Sequence, residues 1–248
     1  MTHILLPDTK PFQRRLIFYL AMEEYIANHI DTLLPDSSEE AFFLWQSRPT
    51  VIIGRNQDIN AEVNLSWCNE HGVEVYRRKS GGGCVYSDEG NQMISCIMRE
   101  HNAQDAFARY LQRLVDILSA LGLPAVSSSH NDVLIGERKV SGNACFVGER
   151  ATIVHGTLLW KSNMENLTAA ITPSEAKLAK HAVQSVRQRV TNLYEWGITD
   201  IAALQQHLTR EFSLLSTGSA ISSPTLTLTP QDVEQIEQIE QNYLLMVK

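Results

Sequence analysis

The clearest strand pattern of the chain lies in Asp132-Val-Leu-Ile-Gly-Glu-Arg-Lys-Val-Ser-Gly-Asn-Ala-Cys-Phe-Val-Gly-Glu-Arg-Ala-Thr-Ile-Val-His-Gly-Thr-Leu-Leu-Trp160. Apolar and β-branched residues predict strands over 132–135, 139–147 and 151–160, with turns at 136–138 and 148–149 between them. Connections this short join antiparallel neighbours. The sequence therefore predicts two consecutive antiparallel hairpins, which favours an α+β fold over a repeating parallel βαβ arrangement.

Helical patterns flank these strands. The strongest runs from Asp105 to Leu121, where apolar residues recur every three or four positions. Asn102 is placed to cap its first turn, and Gly122 is placed to end it. A second helix is predicted over 13–30, with Glu23 as the exception on its apolar side. Shorter patterns predict a helix over 62–71 and strands over 42–45, 51–53, 73–76, 84–86 and 93–98.

The composition is that of an ordinary globular protein. The 248 residues include 21 Lys and Arg against 28 Asp and Glu, a formal net charge of −7, and 44% are hydrophobic. These values exclude disordered, collagen-like and disulfide-dense classes. The acidic balance argues against a nucleic-acid partner, and no apolar run approaches the ~20 residues that span a bilayer.

The termini and the cysteines indicate where the protein works. The N-terminus lacks the basic and apolar regions of a signal peptide. The four cysteines are widely spaced and form no C-x-x-C pair, which is typical of reduced thiols rather than a zinc site or a disulfide framework. We therefore expect a cytoplasmic protein with no membrane association.

A single domain is predicted over 1–248. The Ser-, Thr- and Gly-rich segment 216–230 is predicted to be a linker, and 231–248 an amphipathic terminal helix. The apolar side of that helix either packs on its own domain or docks a partner. Its members are Val233, Ile236, Ile239, Tyr243 and Leu244.

The segment Arg77-Arg-Lys-Ser-Gly-Gly-Gly83 places three cations and three glycines between two predicted strands. Consecutive glycines let backbone N–H groups converge on an anion, and arginine donates bidentate hydrogen bonds to phosphate or carboxylate. The segment therefore predicts an anion site rather than a plain hairpin turn. It is not a Walker loop, because no Gly-Lys-Ser/Thr follows at the required spacing.

Three further positions bear polar groups near small residues. Lys139 begins a strand that continues into Ser141 and Gly142, which leave room for a ligand close to the backbone. Asp132 is either an oxygen ligand for a divalent ion or a turn residue. His155 lies within a strand, where histidine is more often a hydrogen-bonded core residue than a catalytic one. Each signal is weak when it is taken alone.

Taken together, these motifs closely resemble the lipoate–protein ligase family, within the wider biotin and lipoate ligase group. The matching motifs are Arg77-Arg-x-Ser-Gly-Gly-Gly-x-Val-Tyr-x-Asp88, Asn131-Asp…Arg-Lys-x-Ser-Gly-Asn-Ala144 and His155-Gly-Thr-Leu-Leu159, with Thr50–Gln57 and Ser185–Leu193 in support. The resemblance spans about Phe42 to Asn192. It implies an α/β (α+β) catalytic domain of the class II synthetase-like type, a mixed β-sheet packed with helices.

The resemblance also implies a reaction in two steps. Lipoate is activated with Mg-ATP to lipoyl-AMP, and the lipoyl group then passes to one lysine of a lipoyl carrier. The carrier would be the lipoyl domain of a 2-oxoacid dehydrogenase E2 subunit or the glycine-cleavage H protein. Lys139 would bridge the lipoyl carbonyl and the phosphate as the catalytic residue of both steps, and Asp132 would support Mg²⁺.

Further residues are implied to bind the nucleotide or the lipoyl-AMP. They are Arg78, Ser80, Gly82, Gly83, Cys84, Val85, Tyr86, Ser141, His155 and Thr157. The apolar tail of lipoate needs an apolar slot, and Trp45, Val51 and Val85 are expected to line it.

The sequence departs from the family pattern in three ways. Ser87 stands where the family often has His. Cys84 and Cys145 lie inside motif regions, as small buried residues or as a thiolate nucleophile for octanoyl transfer, with Cys145 the better placed. The chain also ends where many bacterial ligases continue into an accessory domain. A transferase or binding module that uses preformed lipoyl-AMP beside a separate accessory protein is therefore an alternative.

Overall fold

The structure, a computed structural model, describes residues 1–8, 14–35, 38–128, 131–171, 190–214 and 224–246. Its strands are β1 (Thr2–Leu5), β2 (Glu40–Trp45), β3 (Thr50–Ile53), β4 (Glu74–Arg77), β5 (Val85–Ser87), β6 (Asn91–Met98), β7 (Ala125–Ser127), β8 (Asp132–Ile135), β9 (Arg138–Val147), β10 (Thr152–Leu159) and β11 (Thr225–Thr227). Its helices are α1 (Leu16–Asn28), α2 (Ile30–Leu33), α3 (Ile59–Glu62), α4 (Leu65–Glu70), α5 (Ala103–Ala120), α6 (Met164–Ala170), α7 (Ile201–Leu214) and α8 (Pro230–Leu245), with a 3₁₀ helix at Leu193–Trp196.

The larger sheet contains eight of the described strands in the order β11-β1-β2-β6-β10-β9-β8-β7. Strand β1 pairs in parallel with β11 and β2, and the remaining pairs are antiparallel. The two hairpins predicted from the sequence, β8–β9 and β9–β10, are both present. The mixed sheet packed with helices confirms the predicted fold class.

The smaller sheet has the order β4-β3-β5. Strand β3 pairs in parallel with β4 and antiparallel with β5. The segment that links β4 to β5 must therefore cross the end of β3, and this segment carries the three consecutive glycines. The register sets Ile52 opposite both Tyr76 and Val85.

Helices cover both faces of the larger sheet. Adjacent residues of β2 alternate between the faces, so Phe43 packs with the buried side of α1, whereas Phe42 packs with α5 and α7. The N-terminal cap of α5 is Asn102, as predicted, because its side-chain oxygen accepts from the N–H of Gln104 at 3.0 Å. No helix in the described ranges is long and apolar enough to cross a membrane.

The terminal helix packs on its own domain. Val233, Ile236 and Tyr243 of α8 are buried in the core that α1 shares with the sheet. The predicted linker 216–230 is wrong in its second half: residues up to 223 lie outside the described ranges, but Thr225–Thr227 form the edge strand β11. Alternating Thr and Leu favour a strand there, since threonine is β-branched.

The helix predicted over 62–71 is also shorter than expected. Asn64 accepts a hydrogen bond from the N–H of Trp67 at 3.1 Å and so begins α4 as a new helix. The preceding turn, α3, is a separate element capped by Asp58.

Candidate functional site

A cleft opens where the glycine-rich segment of the small sheet faces β9 and β10 of the large sheet. It comprises an inner cavity of about 280 Å³ and an adjoining outer cavity of about 600 Å³. The two share seven lining residues: Gly83, Cys84, Val85, Asp132, Lys139, Gly142 and Thr157. This combined space has the size of a site for a small-molecule cofactor or substrate.

The inner cavity has an apolar end. Its apolar lining consists of Leu16, Leu20, Trp45, Ile52, Val85 and Met93. Trp45 and Val85 are as predicted, but the prediction for Val51 is wrong. Successive side chains of β3 point to opposite faces, so Ile52 reaches the cavity while Val51 packs with Val63 and Tyr86 behind the small sheet.

Arg78 organises the glycine-rich loop from within. Its guanidinium is buried and donates to the carbonyl oxygens of Gly81 at 2.7 Å and Gly83 at 2.8 Å, and from Nε to Ser80 Oγ at 3.0 Å. Burial lowers the pKa of Arg78 to about 10, so the group stays charged at neutral pH. Because these donors are used inside the loop, the binding of the nucleotide or lipoyl-AMP by Arg78 stays a prediction.

The other two loop cations also have protein partners. Arg77 donates from one nitrogen, Nη1, to the carbonyl oxygens of Gly54, Arg55 and Gln57 at 2.8–3.1 Å. Lys79 pairs with Glu24 at 2.6 Å. The predicted anion site therefore does not consist of free arginines; the basic side chains fix the shape of the loop.

Lys139 supplies a cation at the cavity wall. Its Nζ lies 2.8 Å from Asp132 Oδ1, and both side chains line both cavities. The side chain crosses Gly142, where a Cβ atom would come within 2.6 Å of Nζ. Asn143 donates to the carbonyl oxygen of Asn131 at 2.9 Å, and Asn131 adopts a left-handed φ of 65°. This hydrogen bond fixes the turn that carries Asp132.

The remaining predicted residues divide into two groups. Gly82, Gly83, Cys84, Val85, His155 and Thr157 line the inner cavity, and Tyr86 lines the outer one. Ser80 and Ser141 are buried, bonded to His155 and Asn143 respectively. Ser87, where the resemblance leads us to expect His, is buried and accepts from the hydroxyl of Ser47 at 2.9 Å.

The cysteines are poor nucleophiles in this structure. Burial raises the pKa of Cys84 to about 12 and that of Cys145 to about 11. Cys145 packs among the residues on the α5 side of the sheet. Since the thiolate is the attacking species, these pKa values do not favour a cysteine acyl-enzyme.

Sequence reasoning missed a polar group behind the cavity. Glu23 of α1 lies 2.8 Å from His155 Nδ1, and His155 Nε2 lies 2.9 Å from Ser80 Oγ. The one signal in the sequence was an acidic residue on the apolar side of a helix. Asn131 and Asn143 were likewise quoted within a motif but given no role.

One metal-binding prediction concerned Asp132. Within the described ranges, no three His, Cys, Asp or Glu residues converge on a point. Mg²⁺ is commonly bound by one or two carboxylates together with substrate phosphates. Asp132 fits that pattern as a single carboxylate at the wall of a cleft large enough for a nucleotide.

An apolar slot, a lysine and a glycine-rich loop meet at one cleft of the mixed sheet. Residues 16–213 match the model of the lipoyl protein ligase A/B catalytic domain. The chain belongs to this family.

Individual relatives agree with the family match. The lipoate-protein ligase LplJ of Bacillus subtilis is 33% identical over 227 residues, which cover 89% of this chain and 65% of the relative. The chain thus spans about two thirds of that relative's length. A lipoate-protein ligase A bound with ATP superposes with a TM-score of 0.78 at 23% identity, covering 97% of this chain and 94% of that one.

A second solved structure has the same fold. It is a bi-partite lipoate protein ligase from Thermoplasma acidophilum, described with its E2 lipoyl domain. Its TM-score is 0.80 at 24% identity, covering 97% of this chain and 91% of that one.

Proposed function

We propose that this chain is an ATP-dependent lipoate–protein ligase, which activates lipoate to lipoyl-AMP and transfers the lipoyl group to a lysine of a carrier domain. The observation that carries the proposal is the position of Lys139. Its ammonium group stands where the two cavities meet, in reach of both. An acyl tail in the apolar end and a nucleotide in the outer cavity would join beside it.

The family match and the cofactors of its relatives support the same reaction. One of the ligases that superpose on this chain is described as bound with ATP. The apolar end, with Leu16, Leu20 and Met93, suits the hydrocarbon chain of lipoate. We propose lipoate, ATP and Mg²⁺ as the reactants and the metal ion.

The chemistry of the first step places negative charge beside Lys139. The lipoate carboxylate attacks the α-phosphorus of ATP, a P–O bond forms, and the bond to pyrophosphate breaks. A pre-positioned cation stabilises the charge that develops on the phosphoryl oxygens. Mg²⁺, held by Asp132 and the phosphates, would neutralise part of the nucleotide charge.

In the second step, the neutral amine of the carrier lysine attacks the lipoyl carbonyl, a C–N bond forms, the C–O bond to AMP breaks, and the proton that the amine loses passes to solvent. Lys139 contacts the same carbonyl and phosphate in this step, so it serves both. Asp132 Oδ1 lies 2.8 Å from the ammonium group and orients it. We assign the lysine the role of an electrophilic stabiliser.

We propose lipoyl domains as the carriers, either of a 2-oxoacid dehydrogenase E2 subunit or of the glycine-cleavage H protein. The support is the family and the archaeal relative, a bi-partite ligase described with its E2 lipoyl domain. A bi-partite relative also makes a separate accessory protein a possible partner of this chain. Such a ligase would act in the cytoplasm, where ATP and the carriers are available.

The test is pyrophosphate release by the purified chain with ATP, Mg²⁺ and lipoate, followed by mass measurement of an added lipoyl domain. Release together with a mass increase of one lipoyl group is the expected result. Modification only from synthetic lipoyl-AMP would show that activation needs a partner protein. Neither activity, with or without a companion protein, would refute the proposal.

A further inference from the structure

A chain of polar side chains runs along the wall of the inner cavity from β2, through α1, to the glycine-rich loop. Its members, in order, are Trp45, Ser95, Glu23, His155, Ser80 and Arg78. The indole N–H of Trp45 donates to Ser95 Oγ at 2.8 Å, and Ser95 Oγ donates to Glu23 Oε1. Glu23 Oε2 and His155 Nδ1 are 2.8 Å apart. The chain ends where Arg78 donates to Ser80.

Glu23 is a buried carboxylate that forms no ion pair with a lysine or an arginine of the described ranges. Only 2% of the residue is exposed, and no Lys or Arg of the described ranges lies within ion-pair distance. Such a group is costly unless a charge or hydrogen bonds compensate it. Its compensation comes from Ser95 and His155, and through His155 and Ser80 from the buried guanidinium of Arg78.

Arg78 fixes the direction of one hydrogen bond in this chain. Arg78 has only donors, so Ser80 Oγ accepts from it. Ser80 Oγ lies 2.9 Å from His155 Nε2, and because a hydroxyl group has one proton and two lone pairs it can donate to this nitrogen or accept from it. The arrangement in which Ser80 donates places the ring proton on Nδ1, which lies 2.8 Å from Glu23 Oε2.

A serine, a histidine and a carboxylate in sequence resemble a nucleophilic triad, but the surroundings exclude that role. Ser80 is 2% exposed, and neither the inner nor the outer cavity is lined by it in the part of the chain that the structure describes. Its oxygen is already an acceptor for Arg78. Ser80 is therefore placed to hold the loop, not to attack a substrate.

We propose that Glu23 is a positioning residue of the ligase reaction: it fixes the tautomer of His155, which with Ser80 holds Arg78 and the glycine-rich loop in the geometry that the reaction needs. This inference rests on the proposed function, because the reaction is the one assigned to the cleft. The consequence is that Glu23, which does not line the cavity, affects turnover more than lipoate binding. Buried networks of this kind act as a unit, so their members are not independent.

The test compares Glu23→Gln, Ser80→Ala and the double variant, with Glu40→Gln as the matched control. Glu40 of β2 is another buried carboxylate, is bound by Arg113 at 2.9 Å, and lines neither the inner nor the outer cavity. Lipoate-dependent pyrophosphate release gives kcat and KM, and thermal unfolding reports on folding. We expect each cleft variant to lose about 10- to 100-fold in kcat, as misplaced catalytic groups do, with KM for lipoate within about threefold.

The double variant decides whether the residues act together. A loss no larger than that of the worse single variant supports the network, and a loss equal to the product of the two refutes it. Equal losses of kcat in Glu40→Gln would also refute it, since the effect would then be one of general destabilisation. If Glu23→Gln does not fold, the Ser80→Ala variant and nitrogen NMR of His155 still test the proposal.

Nitrogen NMR of the unliganded wild type reports which ring nitrogen of His155 is protonated, and it does not depend on enzymatic activity. A ring protonated on Nδ1 alone is the expected result, and a ring that carries a proton on Nε2, alone or together with one on Nδ1, would refute the arrangement. Absence of both pyrophosphate release and transfer from synthetic lipoyl-AMP in the wild type would instead count against the proposed function, so the two failures are distinguishable.

Discussion

Two buried carboxylates lie on opposite sides of the large sheet, and their partners differ. Glu40 packs on the α5 side, where it pairs directly with Arg113 at 2.9 Å and Arg109 at 3.1 Å. Glu23 lies on the α1 side and contacts Ser95 and His155. Both carboxylates are nearly inaccessible, but the first pairs directly with two cations and the second is linked to a cation only through His155 and Ser80.

The difference separates a group that stabilises the fold from a group that shapes a site. A direct buried ion pair fixes two side chains, and its loss leaves a buried charge. A chain of hydrogen bonds fixes the orientation of the side chains along it, and the chain from Glu23 ends at the glycine-rich loop beside the cavity. We therefore expect substitutions on the Glu40 side to change stability and those on the cleft side to change activity.

The largest effect is expected for Lys139→Ala, which removes the cation at the junction of the two cavities. Loss of one pre-positioned electrostatic group typically costs about 10²- to 10³-fold in turnover. We expect that loss in lipoate-dependent pyrophosphate release and in transfer from synthetic lipoyl-AMP, each measured with purified protein. The unfolding temperature should stay within a few degrees, because Lys139 is partly exposed.

A selective loss of only one half-reaction would contradict the dual role of Lys139. Lys139→Arg is the informative companion, since it keeps the charge but changes the geometry of the donors. We expect it to recover only part of the lost activity.

Glu40→Gln should produce the opposite pattern. It leaves the guanidinium of Arg113 buried without its counter-charge, and removing one member of a buried pair costs about 3 kcal/mol or more of unfolding free energy. Urea unfolding measures the change, and pyrophosphate release per folded molecule should be unaltered. A Glu40→Gln variant with unchanged stability and reduced turnover would contradict the proposed division between stability on the α5 side and activity on the cleft side.

Gly142→Ala is expected to have a smaller effect on the cleft side. The new methyl group would lie within 2.6 Å of Lys139 Nζ, so the flexible lysine must move away from Asp132. The charge is retained but displaced, for which we expect about a tenfold fall in kcat by analogy with other displaced catalytic groups. Gly148→Ala is a matched control, because Gly148 lies in the β9–β10 turn and does not line either cavity. Equal losses in both variants would mean that strand packing, rather than Lys139, is affected.

Cys145→Ser should have the smallest effect. Its thiol is half-buried on the α5 side, and burial raises its pKa to about 11, above the ordinary value of a cysteine. The folded protein therefore keeps this thiol protonated at pH 8, and alkylation by iodoacetamide should speed up only as the pH rises towards 11. We expect pyrophosphate release and carrier modification within about twofold of wild type, as for a substitution that removes no reacting group. Loss of octanoyl or lipoyl transfer in Cys145→Ser would support a mechanism with Cys145 as the thiolate nucleophile.

The sequence predicted the strands and helices that depend on local pattern. The two hairpins after Asp132, the helix capped by Asn102 and the terminal helix are all present. Segments whose structure depends on distant partners were missed. Thr225–Thr227 forms its strand by pairing with β1, which comes from the other end of the chain.

The candidate site was predictable to the extent that motifs mark it. Lys139, Asp132, His155 and the glycine-rich loop were quoted from the sequence, and the structure brings them to one cleft. Which side chains face the cavity was not predictable, as Ile52 and Val51 show. Glu23 lies more than a hundred positions from His155 along the chain, so only the fold reveals their contact.

The most direct test of the account is calorimetric titration of a non-hydrolysable lipoyl-adenylate analogue into the wild type, Lys139→Ala and Glu40→Gln. If the cleft holds lipoyl-AMP beside Lys139, the analogue binds the wild type and Glu40→Gln with the same affinity. Binding to Lys139→Ala should weaken at least tenfold, about 1.4 kcal/mol. Equal binding to the wild type and Lys139→Ala would contradict the account.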